Sequence, residues 1–141
     1  MLRLAPEDDA AFCEHCGARN LKQCPNCERP IRGHYVGGAI GFPYVRPSFC
    51  IYCGKPFPWT EKTLSAAKEL ADEIEELSAD DRERLKQNLE EIASDNPRTE
   101  VAAGRIRNTI ARIGPATGRV LERLATEIAT EAARKILLGG P

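Results

Sequence analysis

Six cysteines fall into three C-x-x-C pairs, Cys13/Cys16, Cys24/Cys27 and Cys50/Cys53. Two thiolates at this spacing can reach one metal ion from a single turn, whose backbone N–H groups then point at the sulfurs. Gly17 and Gly54 follow the first and third pairs, and glycine suits the positive φ of such a turn. The middle pair has Pro25 inside it and Glu28 after it. Three pairs this close together, with no βαβ pattern around them, point to zinc rather than to a thioredoxin-like dithiol.

All six cysteines are therefore candidate metal ligands, and a structural zinc takes four. Between Cys27 and Cys50 lie twenty-two residues. They include Ile31 and His34–Tyr35–Val36 with strand character, a glycine-rich turn, and the returning segment "FPYVRPSF". Knuckle, strand, turn, strand and knuckle make a zinc ribbon, which assigns Cys24, Cys27, Cys50 and Cys53 to one tetrahedral site. The rival arrangement joins Cys13/Cys16 to Cys24/Cys27 across seven residues. One Zn2+ is expected, and a second would need further ligands for Cys13 and Cys16. His15 and His34 are the only histidines. A ring inside a knuckle points away from its neighbours' metal, and a strand histidine is more simply surface or core.

The zinc reads as structural. A catalytic zinc needs an open position and a nearby general acid or base. The sequence has no H-E-x-x-H, no H-x-E with P-C-x-x-C, and no glycine-rich phosphate loop. Glu14 and Glu28 adjoin knuckles but read as solvated turn residues. A head of about 50 residues buries too little apolar surface to fold alone, so a metal staple accounts for the cysteines without catalysis.

These ligands need a frame, and the chain changes character near Trp59. Seven of the ten prolines and all six cysteines precede it, while Ala, Glu, Arg and Leu dominate the rest. The predicted fold is a small metal-stapled β head over residues 1–59, followed by an all-α body of three to four helices over 60–141. Thr60 is the expected N-cap of the first helix, with Glu61 at its positive end and Trp59 stapled onto Leu64. Leu64, Ala67, Leu70, Ala71, Ile74 and Leu77 mark one helical face, and Leu85, Leu89 and Ile92 continue it. Ser78 with Asp81 resembles a capping box, so residues 60–94 form either one long helix or two. Ala103, Ile106, Ile110 and Ile113 line the next helix, which "IGP" stops. A last helix from about Ala116 places Leu121, Leu124, Ile128, Ala132 and Ile136 inward.

At "CPNCERPIRGHY" and "FCIYCGKPFPWTE" the chain resembles an uncharacterised bacterial family with an N-terminal zinc ribbon and a helical remainder. The ending "TEIATEAARKIL" is similar too. The resemblance implies metal ligation by all six cysteines and implies no activity. A more distant likeness to double zinc ribbons is an analogy of fold.

Net charge is −1, which argues against a protein that coats nucleic acid. No run of about 18 apolar residues is present, and the opening "MLRLAPEDDAAFC" does not read as a secretory signal, so a cytoplasmic location is expected. Residues 60–100 hold six basic and thirteen acidic side chains, whereas residues 101–141 hold seven and three. Arg105, Arg107, Arg112 and Arg119 occur with no acid between Val101 and Val120. Acidic and basic helices facing each other, in one bundle or across a dimer, are the simplest expectation. The leading function is thus a non-enzymatic zinc-binding interaction module whose helices bind a protein partner or a second copy. The alternative is a nucleic-acid-binding protein using the ribbon and the arginine-rich stretch 105–119. Tyr35, Phe42, Tyr44, Phe49 and Tyr52 would then offer stacking surfaces. A redox sensor using the surplus cysteine pair and an amphipathic membrane-surface helix are weaker readings.

Overall fold

A computed structural model describes residues 11–31 and 47–139. The chain divides into two compact units, Met1–Phe57 and Pro58–Pro141. The second unit holds five helices: α1 (Pro58–Glu73), α2 (Ala79–Glu91), α3 (Thr99–Arg112), α4 (Pro115–Ile128) and α5 (Glu131–Leu137). Helix α1 packs on α2 and α4, while α3 packs on α2, α4 and α5. Ala67, Ala71, Ala103, Ala125 and Ala133 are fully buried among Ile74, Leu85, Leu89, Ile92, Ile106 and Leu121. Small residues at these positions let helix axes approach closely, and each buried Leu or Ile contributes about 1.5–3 kcal/mol relative to exposure.

The expected stripes form this core. Ala67, Ala71, Ile74, Leu77, Leu85, Leu89, Ile92, Ala103, Ile106, Ile113, Leu121 and Ile128 are all buried. Leu64, Leu70, Ile110, Leu124 and Ile136 pack against them half-buried. Residues 60–94 are two helices, because Ser78 caps α2: its hydroxyl accepts from the Asp81 N–H at 3.1 Å. Arg82 secures the break from the far side, donating from Nε and Nη2 to the Ile74 carbonyl at 3.0 and 2.8 Å.

Three expectations need correction. The body has five helices rather than three to four, because the last one breaks at Ala129–Thr130. Thr130 caps α5 by accepting from the Ala133 N–H at 3.4 Å, and Thr130 N–H is drawn to the Ile92 carbonyl at 2.9 Å. Arg134 then donates to the carbonyls of Thr126 and Ala129, repeating the Arg82 arrangement. This break resets the helical phase, so Ala133 and Leu137 are buried and Ala132 is exposed. At the other end, Thr60 does not cap α1. The helix begins at Pro58, where proline's fixed φ and missing N–H cost nothing, and Thr60 is buried inside the first turn.

Helices α2 and α3 are joined by a turn that Asn96 organises. Its amide donates to the carbonyls of Glu91 and Ser94, and its Oδ1 accepts from the Arg98 N–H at 2.8 Å. Thr99 Oγ1 accepts from the Asn96 N–H and donates to the Ser94 carbonyl. Among the described residues no helix is long and apolar enough to cross a membrane.

In the first unit, the described residues show no continuous strand; antiparallel bridges link Phe12 to Arg19, Gln23 to Pro30 and Phe49 to Pro56. Ile31 is not in a strand, though its N–H donates to the Lys22 carbonyl at 2.8 Å. The remaining expected ribbon strands, with His34, Tyr35, Phe42 and Tyr44, lie outside the described residues.

Candidate metal centre

Each cysteine pair sits in the same local fold. The N–H of the first cysteine donates to a carbonyl five residues on: Cys13 to Ala18 at 2.7 Å, Cys24 to Arg29 at 2.8 Å and Cys50 to Lys55 at 2.9 Å. A second bond closes each turn, from the N–H of Gly17, Glu28 or Gly54 back to the carbonyl of Cys13, Cys24 or Cys50. The residue after each second cysteine has positive φ: 70° at Gly17, 62° at Glu28 and 72° at Gly54. Glu28 therefore does the backbone work that glycine does in the other two knuckles, at the strain an L-residue suffers in that region. A search for glycine cannot find it; the signal is its equivalent position.

Two of the three knuckles converge. The Sγ atoms of Cys24, Cys27, Cys50 and Cys53 lie within 4.8 Å of one another. Cys24 and Cys53 approach to 3.7 Å, and Cys27 and Cys50 to 3.6 Å. A tetrahedral zinc with Zn–S bonds of about 2.3 Å has sulfur–sulfur edges of about 3.8 Å. The donor set thus fits a metal ion such as Zn2+, and the pairing is the one ribbon spacing implies. Cys24 and Cys50 are buried; Cys27 and Cys53 are half-buried. Arg29 lies over the Tyr52 ring, 4.8 Å from its centroid, adding a second tie between the two knuckles.

Backbone amides prepare these sulfurs for negative charge. The Lys55 N–H chiefly lowers the Cys53 thiol to about 6. Cys50 is lowered by backbone N–H groups of Cys53 and Tyr52, the latter at 3.4 Å. At Cys27 the Arg29 N–H pulls downward, but burial and the three neighbouring thiols together hold it up at about 11. Four sulfurs crowded together cannot all ionise without a cation, which is the electrostatic signature of a metal cage.

Cys13 and Cys16 stay outside this cluster, half-buried and exposed respectively. Their knuckle is nonetheless formed, and the N–H groups of His15 and Cys16 lower the Cys13 thiol just as their counterparts lower Cys50. His15 turns to solvent, 86% exposed, with Nε2 3.6 Å from a Glu14 carboxylate oxygen. His34 lies outside the described residues.

The arginine stretch differs from expectation. Among the described residues, ion pairs join Lys68 to Glu90, Lys86 to Asp72 and Glu83, Arg98 to Glu91 and Lys135 to Glu131. None involves Arg105, Arg107, Arg112 or Arg119. Glu83, Glu90 and Glu91 of α2 pair with Lys86, Lys68 and Arg98 instead, so among the described residues no ion pair joins the acidic helices to these arginines.

Residues 1–137 match the model of a family described as "Uncharacterized protein conserved in bacteria (DUF2321)". The chain belongs to that family. No curated protein and no solved structure matches it.

Proposed function

We propose that this member of the uncharacterised bacterial family works by binding rather than by catalysis. A structural zinc staples the head, and the helical body engages a protein partner or a second copy. The observation that carries the reading is the closed thiolate set. Cys24, Cys27, Cys50 and Cys53 supply all four ligands a tetrahedral ion takes, which leaves no position for water or substrate. When bound, the ion supplies folding free energy, on the order of 10–16 kcal/mol in small zinc domains. The chain's own contribution is to aim the Tyr52 and Lys55 N–H groups at sulfur and to shield Cys24 and Cys50 from solvent. Exposed Val101, Val120 and Leu138 give the body apolar points of contact beside charged side chains.

The test begins with metal counting on reduced, purified protein. One zinc per chain at this site is expected, lost in Cys24→Ser or Cys53→Ser. Association is then read from the chain's mass in solution and from what co-purifies with it in native extract. A metal-free protein, or one that is monomeric and free of partners, would refute the reading.

A second reading is nucleic-acid binding, favoured by the lack of carboxylate ion-pair partners for Arg105, Arg107, Arg112 and Arg119 among the described residues. Retention of a mixed oligonucleotide that falls steeply with salt would support it.

A further inference from the structure

Between α2 and α3 lies a groove of about 720 Å³ lined by Asp81, Arg84, Leu85, Asn88, Arg105, Asn108, Thr109 and Arg112. The sequence spacing explains its composition. Asp81, Arg84, Leu85 and Asn88 stand at i, i+3, i+4 and i+7 of α2, and Arg105, Asn108, Thr109 and Arg112 repeat that spacing on α3. Each set therefore occupies one helical face, and the two helices pack together.

We propose that this groove binds a small ligand carrying two or more phosphate groups, of the size of a nucleoside diphosphate. Arg84, Arg105 and Arg112 all line it, with Asp81 as the single lining carboxylate. Among the described residues none of the three makes an ion pair or a side-chain hydrogen bond, although α2 and the turn after it use Glu83, Glu90 and Glu91 on Lys86, Lys68 and Arg98. Three positive side chains against one carboxylate leave the groove with an excess of positive charge that an anion would balance. A guanidinium fork matches phosphate oxygens bidentately.

Asn88 adds a neutral donor and acceptor to the same lining. It is only 6% exposed as a residue, lines the groove, and keeps its amide accessible there rather than bonded to a described residue. A ligand in the groove gives the amide its partner. Thr109, whose hydroxyl donates to the Arg105 carbonyl at 3.0 Å, lines the groove as well.

The size and charge of the surroundings select a compact anion over a polymer. The volume falls within the ordinary range of small-molecule sites, roughly 300–1,000 Å³. Asp81 at the groove and the acidic surplus of residues 60–100 oppose a phosphodiester chain running past it. The inference goes beyond the reading of the head and uses none of its residues.

Calorimetric titration of the zinc-loaded full chain with inorganic pyrophosphate and with ADP, at low salt, tests it. Saturable binding of one equivalent is expected. Arg105→Gln with Arg112→Gln should weaken it tenfold or more, while Arg107→Gln with Arg119→Gln should leave it unchanged. Asn88→Leu should also weaken binding tenfold yet keep or raise the melting temperature, a combination that a purely structural role does not produce. Lack of saturable binding, equal losses in the two arginine pairs, or an oligonucleotide held more tightly than pyrophosphate would each overturn the proposal.

Discussion

Exchanging the residues at the left-handed positions of the two converging knuckles should move zinc affinity in opposite directions. Gly54 has φ of 72°, and a Cβ added there would meet nothing within 4 Å. Gly54→Ala therefore adds no clash, and its cost is conformational: about 1–2 kcal/mol for an L-residue in that region. Some of this is offset because alanine has less unfolded-state freedom to lose, about 0.4–1 kcal/mol. The net cost is about 1 kcal/mol. Because the head's folding is coupled to the metal, that cost appears as roughly five-fold weaker apparent affinity. Glu28 holds φ of 62° without being glycine, so Glu28→Gly should tighten zinc by up to about the same factor. Competition against a chromophoric chelator at fixed pH, with all thiols reduced, reads both changes. Weaker zinc binding in Glu28→Gly, or no change in Gly54→Ala, would falsify the idea that positive φ in the knuckle limits the stability of the site.

Serine at Cys24, Cys27, Cys50 or Cys53 should expose the chain to proteolysis before Trp59, and native-like protection after full chelation would contradict this. In zinc-loaded protein, Cys16 should be alkylated first and Cys24 and Cys50 last, following their exposure; mass spectrometry of partially labelled protein decides the order. Leu89→Ala, at a fully buried position, should cost about 2–5 kcal/mol in denaturant titration. Ser78→Ala should cost about 1 kcal/mol by removing the α2 cap, and an unchanged midpoint would remove that hydroxyl from the account.

Periodicity made the helical core legible, since Ala67, Leu85, Ile106 and Leu121 each recur at helical spacing and all are buried. The break at Ser78 was signalled by an N-cap residue preceding acids, a signal that left one helix or two both open. The break at Thr130 was not, because "TEIATEAARKIL" is made of good helix formers and its apolar spacing continues across the turn. What ends α4 is tertiary: Ile92, remote in sequence, offers its carbonyl to Thr130. The signal that could have found it is Arg134, four residues past a Thr as Arg82 is four past a Ser. Ribbon spacing identified the converging pairs, but not that Glu28 would take glycine's place. Nor could composition reveal the groove, because charge counts do not say which face of α2 its acids occupy. Lys86 meets Asp72 of α1, and Arg84 stands on the face towards α3.

Arg82 and Arg134 have a consequence for the order of assembly. Each reaches back eight residues, from the first turns of one helix to carbonyls at the end of the helix before it. The end of α1 is thus finished only when α2 exists, and the end of α4 only when α5 does. Neither helix of a pair can settle its corner alone, so α1–α2 and α4–α5 behave as cooperative hairpins. Their closing contacts span so few residues that little chain entropy opposes them. Helix α3, which packs on α2, α4 and α5, then joins the direct α1–α4 interface in holding the two hairpins together.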